Sequence, residues 1–531
     1  MDNKKLMGKE NNLTKSMGIK DYFMLGFGSM VGVGWAVSLN SWFTTGGGVL
    51  AAILGFAIVV IIMVPIALTY AEMCPAMPVA GGSVAFTYRA FGTLPAFISG
   101  WFVVLAYINI LPWESIYINN ILGLLIPGLK AGSPLYTLGG VGIFPIAVGI
   151  GIIVSLAVII INWRGAQIAV KFQTVCTMFV LVAGVCVLVF GFLKANPSNL
   201  FPTFEDVGGR GLHGMGGGLL AVLAMAPFFL AGFDTIPQGA EEASGKADHK
   251  KMGKIIVISI LAAGAFYCLI LLASGMAMKW TTFAGLDSPA VSIMFQELYP
   301  GVLGTVLYWV TMVGALAGLF TTWNGFFIAG SRLILGMARA RLLPKFFAKV
   351  HPKYGTPVGG NVVCAVATVA GPFIGMGLIE PLTIIGSSAF VVGWFFTSIS
   401  CLKLRKSAPE MHRPFKMPGG IATAMIAAFV AIALFMLTIV PSSPGFMGSV
   451  GIYYLIGWIV LGVIFYLASA KYRNAVPEEE RMATLFSGME PKEESRTNEE
   501  GSSPHRGISQ RPASVYSAAP SSGNREKLQM L

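Results

Sequence analysis

Twelve apolar stretches, each long enough to cross a bilayer as a helix, dominate this chain of 531 residues. They lie at 22–46, 49–73, 94–126, 138–162, 168–193 and 218–240, and continue at 254–278, 301–337, 358–378, 381–404, 418–440 and 450–471. A helix crosses the hydrocarbon in about 20 residues, and its backbone polar groups must be paired internally because lipid offers no partner. The expected fold is an all-α integral membrane protein of about 12 transmembrane helices. Composition agrees: 11% of residues are charged, against about 25% in a soluble domain. The 65 glycines suit helices that pack backbone to backbone in lipid.

Basic residues set the expected orientation. With the amino terminus inside, the cytoplasmic loops and helix ends carry Lys4, Lys5, Lys246, Lys250, Lys251, Arg339, Arg341, Lys345, Arg405 and Arg413. Before residue 471 only Lys130, Lys194, Arg210 and Lys279 fall elsewhere. The positive-inside bias therefore places both termini in the cytoplasm. It also accounts for most of the +12 net charge, and charge dispersed over many short loops excludes a nucleic-acid surface. The polar start through Asp21 has no cleavable signal pattern. Residues 1–20 read as a cytoplasmic segment and 21–471 as the twelve-helix domain. Residues 472–531, rich in Ser, Pro, Glu and Arg without apolar periodicity, read as a disordered cytoplasmic tail.

The six cysteines lie in or beside apolar segments without CxxC spacing, and read as small core residues or free thiols. His213, His249, His351, His412 and His505 all fall in loops or the tail. No metal site and no cofactor is expected. An intramembrane enzyme would need a nucleophile–base pair or a metal cluster, and no spanning segment holds a histidine to build one.

The informative places are those where a spanning helix cannot stay regular. In the first stretch, Gly28, Gly32 and Gly34 surround Met30 and Val33 and disfavour a continuous helix. Such a break persists in a membrane only where it is buried in protein or lines a cavity. The amides that open the second half-helix are a seat for a carboxylate; a glycine-rich packing face is the structural alternative. In the sixth stretch, Ala231-Gly232-Phe233-Asp234-Thr235-Ile236-Pro237 interrupts an apolar run with Gly, a charge and Pro. These stretches stand in corresponding positions if 22–193 and 218–404 are two five-helix repeats, and paired breaks point to a midplane site.

These residues resemble a family. Gly28-Ser29-Met30-Val31-Gly32-Val33-Gly34, Tyr70-Ala71-Glu72 before Pro78-Val79-Ala80-Gly81-Gly82, and Gly232-Phe233-Asp234 with Glu241-Glu242 come in order. Ser331-Arg332-Leu333, Leu342-Leu343-Pro344, Gly355-Thr356-Pro357 and Arg413-Pro414-Phe415 follow. Over nearly all of 20–420 the chain resembles an amino acid permease of the amino acid–polyamine–organocation superfamily. The resemblance implies a five-plus-five inverted repeat with discontinuous helices one and six, then accessory helices at 418–471. It implies a secondary active transporter of the plasma membrane that moves amino acids by alternating access, coupled to a proton or a counter-substrate. By motif, the amides of Val33 and Gly34 hold a substrate carboxylate next to Gly32, and the carbonyls of Met30, Phe228 and Ala231 accept from its amine. Phe228 and Phe233 are lid candidates, and Phe326 is a pocket candidate. Val33 and Trp35 depart from the family's usual small or aliphatic residues, so Trp35 bears on pocket size. Thr321 and Thr322 are candidate sodium ligands or ordinary helix hydroxyls.

Buried charge supplies the remaining candidates. Glu114 follows Pro112 and Trp113 deep in the third stretch, one helix face from Tyr107. A carboxylate there must be protonated, paired or wet. It faces a substrate ammonium, carries a proton, or bonds a neighbouring break. Asp234 couples protonation to closure or caps the second half-helix. Glu72 and Arg332, near cytoplasmic ends, are gate candidates or snorkelling side chains. A polyamine or amino-alcohol permease for substrates such as putrescine or ethanolamine, and a non-transporting nutrient sensor of the same fold, are the alternative functions.

Overall fold

The computed structural model describes residues 13–126, 128–206, 215–244 and 248–487. Lys4, Lys5, Arg210, His213, Lys246, His505 and the chain beyond Ser487 lie outside the described residues.

Among the described residues, ten helices are long and apolar enough to cross a membrane. The helices Ile19–Val37 and Leu39–Gly46, bent by 77° at Ser38, make an eleventh span if counted together. A shorter apolar helix, Val358–Ile374, occupies the ninth stretch. The chain is thus an all-α multi-pass membrane protein, and every stretch read from the sequence contains helix, the fourth (138–162) only from Pro145 because residues 138 and 141–143 belong to a short strand pair. Numbered by stretch, the spans that build the site are the first, Ile19–Gly46; the third, Thr93–Gly123; and the sixth, Gly216–Gln238. The seventh, His249–Ala277, and the eighth, Val302–Arg339, complete it. The tenth and twelfth spans contain the helices Ile379–Ser407 and Gly448–Ala468. A two-stranded antiparallel pair, Tyr136–Leu138 with Val141–Ile143, lies between the third and fourth spans.

Ile153, Phe179, Val366, Phe429 and Ile464 are exposed on the outward faces of their helices. Water would not tolerate so continuous an apolar surface, whereas acyl chains solvate it.

The first and sixth spans are interrupted, and their interruptions meet. Backbone helix stops at Met30 and resumes at Gly34. In the sixth span it stops at Leu230 and resumes at Thr235. Gly232 has φ +143°, and a Cβ there would stand 2.7 Å from the Met30 amide nitrogen. Only glycine allows both that conformation and that approach.

One end of the bundle is closed by buried ion pairs. Arg332 meets Glu242 at 2.9 Å and Arg339 meets Glu241 at 2.5 Å. Glu241 also accepts from the Ala80 amide at 3.1 Å. Glu72 is held by Arg405, by Arg413 at 3.3 Å and by the Met417 amide at 2.9 Å.

The chain stays folded beyond residue 472. Helices Ala470–Asn474 and Glu478–Phe486 follow the twelfth span, with Arg473, Arg481, Leu485 and Phe486 buried. The glutamate-rich composition hid a short amphipathic face formed by Arg481, Leu485 and Phe486.

Candidate functional site

The two breaks, together with the third, seventh and eighth spans, enclose a small chamber. Its wall includes Gly32, Val33, Gly34, Glu114, Tyr267 and Thr322, completed by Ser29, Met30, Ile110, Trp113, Phe228 and Phe229. The space is about 20 Å³, enough for about one water molecule and too small for an amino acid.

Local geometry explains why these residues converge. The amides of Gly32, Val33 and Gly34 donate to no backbone carbonyl among the described residues, as expected at an opening half-helix. The Met30 carbonyl accepts from the Tyr267 hydroxyl at 2.7 Å, so part of its accepting capacity is already used. Glu114 is buried, and its Oε2 has no hydrogen-bond partner among the described residues. Its other oxygen lies 3.5 Å from where a Cβ on Gly32 would stand. The Thr322 hydroxyl, against the same glycine, also lacks a partner. The Glu114 carboxylate, the Thr322 hydroxyl and the amides of Val33 and Gly34 therefore face one space with unused hydrogen-bonding capacity, while the Gly32 amide donates to the Tyr267 hydroxyl.

Trp113 and Phe229 separate this chamber from a second cavity of about 670 Å³ on the side away from the ion pairs. Ser38, Asn40, Thr44 and Glu380 line the larger space, whose volume is that of a small-ligand cleft. Trp113 is held across the partition by donating to the Thr383 hydroxyl at 3.0 Å. Displacing Trp113 and Phe229 would join the two cavities.

Of the candidates read from the sequence, Met30, Gly32, Val33, Gly34, Glu114, Phe228 and Thr322 reach the chamber wall. The others do not line it. Phe233 packs on Tyr70 and Trp394, with centroids at 5.6 and 5.4 Å. Phe326 packs on Tyr107 and Phe390, at 5.2 and 5.7 Å. Ala231 is buried behind the wall. Trp35 turns toward Phe266, at 6.1 Å, so it neither narrows the chamber nor stacks within it. Thr321 donates to the Gly318 carbonyl at 2.7 Å within its own helix, and lies 3.5 Å from the Val31 carbonyl.

Asp234 makes no capping bond to the half-helix it precedes. Its carboxylate accepts from the Gly232 amide and the Tyr107 hydroxyl, both at 3.0 Å. Glu72 and Arg332 sit in the buried ion-pair layer, away from the chamber and without water to snorkel toward.

Tyr267 and Phe229 were missed from sequence. Tyr267 lies in an uninterrupted span, where nothing marks one tyrosine among core aromatics. Phe229 adjoins Phe228 and shared its signal.

An interrupted-helix bundle with a polar chamber at its centre, sealed on one side by ion pairs and on the other by aromatic rings, has the architecture of a membrane carrier. The chain belongs to the amino acid permease family, which it matches over residues 17–465. It is 26% identical over 473 residues to the branched-chain amino acid permease BcaP of Bacillus subtilis (strain 168), covering 87% of this chain and 95% of that one. It is 27% identical over 479 residues to the methylthioribose transporter of the same organism, with the same coverage. With cationic amino acid transporter 4 of Homo sapiens it shares 27% identity over 411 residues, covering 75% of this chain and 61% of the human one.

Proposed function

We propose that this protein is a secondary active transporter that moves amino acids across the plasma membrane by alternating access. The observation that carries the reading is Glu114, a buried carboxylate with an unpartnered oxygen, in one chamber with the free amides of the first-span break. A charge at mid-membrane costs about 2.5–3.5 kcal/mol on insertion scales, and an ammonium group offsets that cost. In this reading the amides of Val33 and Gly34 take the substrate carboxylate, the carbonyl of Phe228 accepts from the α-ammonium, and Glu114 faces a cationic side chain.

Both termini lie in the cytoplasm. The 670 Å³ cavity is then the outer vestibule, and the Glu241 and Glu242 pairs form the closed inner gate. Residues 22–193 and 218–404 act as inverted five-helix repeats, with accessory helices at 418–471. A proton or a counter-substrate supplies the driving force. Kinship to amino acid permeases and the paired breaks support this arrangement.

A second reading rests on the methylthioribose transporter among the relatives. An uncharged sugar thioether would use Glu114 as a hydroxyl acceptor and leave the carboxylate seat empty. Proteoliposome uptake separates the possibilities. Saturable uptake of a labelled amino acid is expected; binding without flux contradicts transport and indicates a sensor.

A further inference from the structure

Arg481, in the helix Glu478–Phe486, is 8% exposed, yet its Nε and Nη1 have no hydrogen-bond partner among the described residues. A buried guanidinium without an acceptor is unfavourable, so the position calls for one. Its surroundings supply further donors. The Tyr88 hydroxyl, from the short helix Gly82–Phe91, is also buried, with the Thr93 hydroxyl beside it and no close hydrogen bond among the described residues. Arg481, Arg473 and Glu478 all lie near enough to act electrostatically on that phenol. Arg473 is 6% exposed, donates to the Tyr466 carbonyl at 2.9 Å and stacks 3.8 Å over the Tyr466 ring. Arg89 reaches Met482 Sδ at 3.3 Å. The one carboxylate acting on Tyr88, Glu478, is solvent-exposed and lies 3.5 Å from the Thr93 hydroxyl. Cationic donors therefore outnumber acceptors.

Depth identifies the acceptor. Arg473 follows the twelfth-span helix Gly448–Ala468, whose Tyr453, Ile459, Val463 and Leu467 are exposed and apolar. The cluster sits where that helix leaves the hydrocarbon, the level of lipid phosphates. Basic pockets at this level on the cytoplasmic side suit anionic headgroups, and arginine suits phosphate geometry.

We infer that Tyr88, Arg473 and Arg481 form a binding site for a phosphate-bearing anion, the headgroup of an anionic membrane lipid. The bound phosphate accepts from Arg481 Nε and Nη1 and from the Tyr88 hydroxyl. It thereby fastens the C-terminal helix to Gly82–Phe91 and to the eighth span, against which that helix also packs. The eighth span carries Arg339, so the headgroup braces the ion-pair layer from outside.

The test uses the full chain in nanodiscs of phosphatidylcholine alone or with added phosphatidylglycerol, read by thermal melting. Phosphatidylglycerol is expected to raise the melting temperature of the wild type, to leave Arg481→Gln unmoved, and to act less on Tyr88→Phe. Arg481→Lys retains part of the response. Melting of Arg481→Gln in phosphatidylcholine serves as the control for folding. Inorganic phosphate added to phosphatidylcholine discs separates the sources. If it reproduces the shift and Arg481→Gln abolishes it, the site stands and its occupant is a soluble phosphate. No wild-type response to either anion, or an equal response in Arg481→Gln, overturns the inference. The readout does not depend on transport.

Discussion

The Tyr107 hydroxyl lies 3.0 Å from the Asp234 carboxylate and 3.1 Å from the Asp234 carbonyl, tying the third span to the break in the sixth. Gln238 donates to the same hydroxyl at 3.3 Å. Asp234 is thus held by a neighbouring span and by the turn before it, so its carboxyl group ties the sixth-span break to the third span.

Tyr107→Phe keeps the ring against Phe326 and removes the hydroxyl, both the donor to Asp234 and the acceptor for Gln238. Leaving a buried carboxylate oxygen short of a partner costs about 1–3 kcal/mol. The variant is expected to melt at a lower temperature and to transport more slowly. Unchanged melting and flux would show that the break does not need this bond.

Gly318 in the eighth span faces the break in the first, where an added Cβ would collide with the Gly32 carbonyl oxygen and come within 3.3 Å of the Val33 nitrogen. Backbone cannot yield as a side chain does, so Gly318→Ala is expected to abolish substrate binding in an equilibrium assay. Gly149→Ala, with nothing within 4 Å of its Cβ, is the control and should bind normally. Normal binding by Gly318→Ala would place the substrate elsewhere.

Arg332 and Glu242 are 1% and 0% exposed. Removing one partner of such a pair strands a buried charge at about 3–5 kcal/mol, whereas replacing both is often neutral. Arg332→Met is expected to melt much earlier than the wild type. Adding Glu242→Leu should recover most of the loss, and no recovery in the double variant would contradict the pairing.

The legible parts of the site were those where local chemistry conflicts with a membrane helix. Three glycines at 28, 32 and 34, Asp234 beside Pro237, and Glu114 behind Pro112 each announce themselves, because lipid penalises all of them. Partners were not legible. Glu72 meets Arg405 across 333 positions, and no local pattern distinguishes that arginine from Arg332 or Arg339. Phe233, Phe326 and Trp35 carried the same aromatic signal as Phe228, yet only Phe228 reaches the chamber. Side-chain direction around a break depends on how neighbouring spans dock. The folded helix at Glu478–Phe486 was obscured for a related reason: its buried face is only a few residues wide.

The most direct test of the central claim is uptake of labelled neutral and cationic amino acids by proteoliposomes carrying the wild type or Glu114→Gln. Glutamine fills nearly the same space but cannot neutralise an ammonium. Saturable wild-type uptake is expected, with the substitution lowering transport of cationic substrates more than that of neutral ones. Equal loss for both classes, or none for either, would contradict the placement of Glu114 against the substrate.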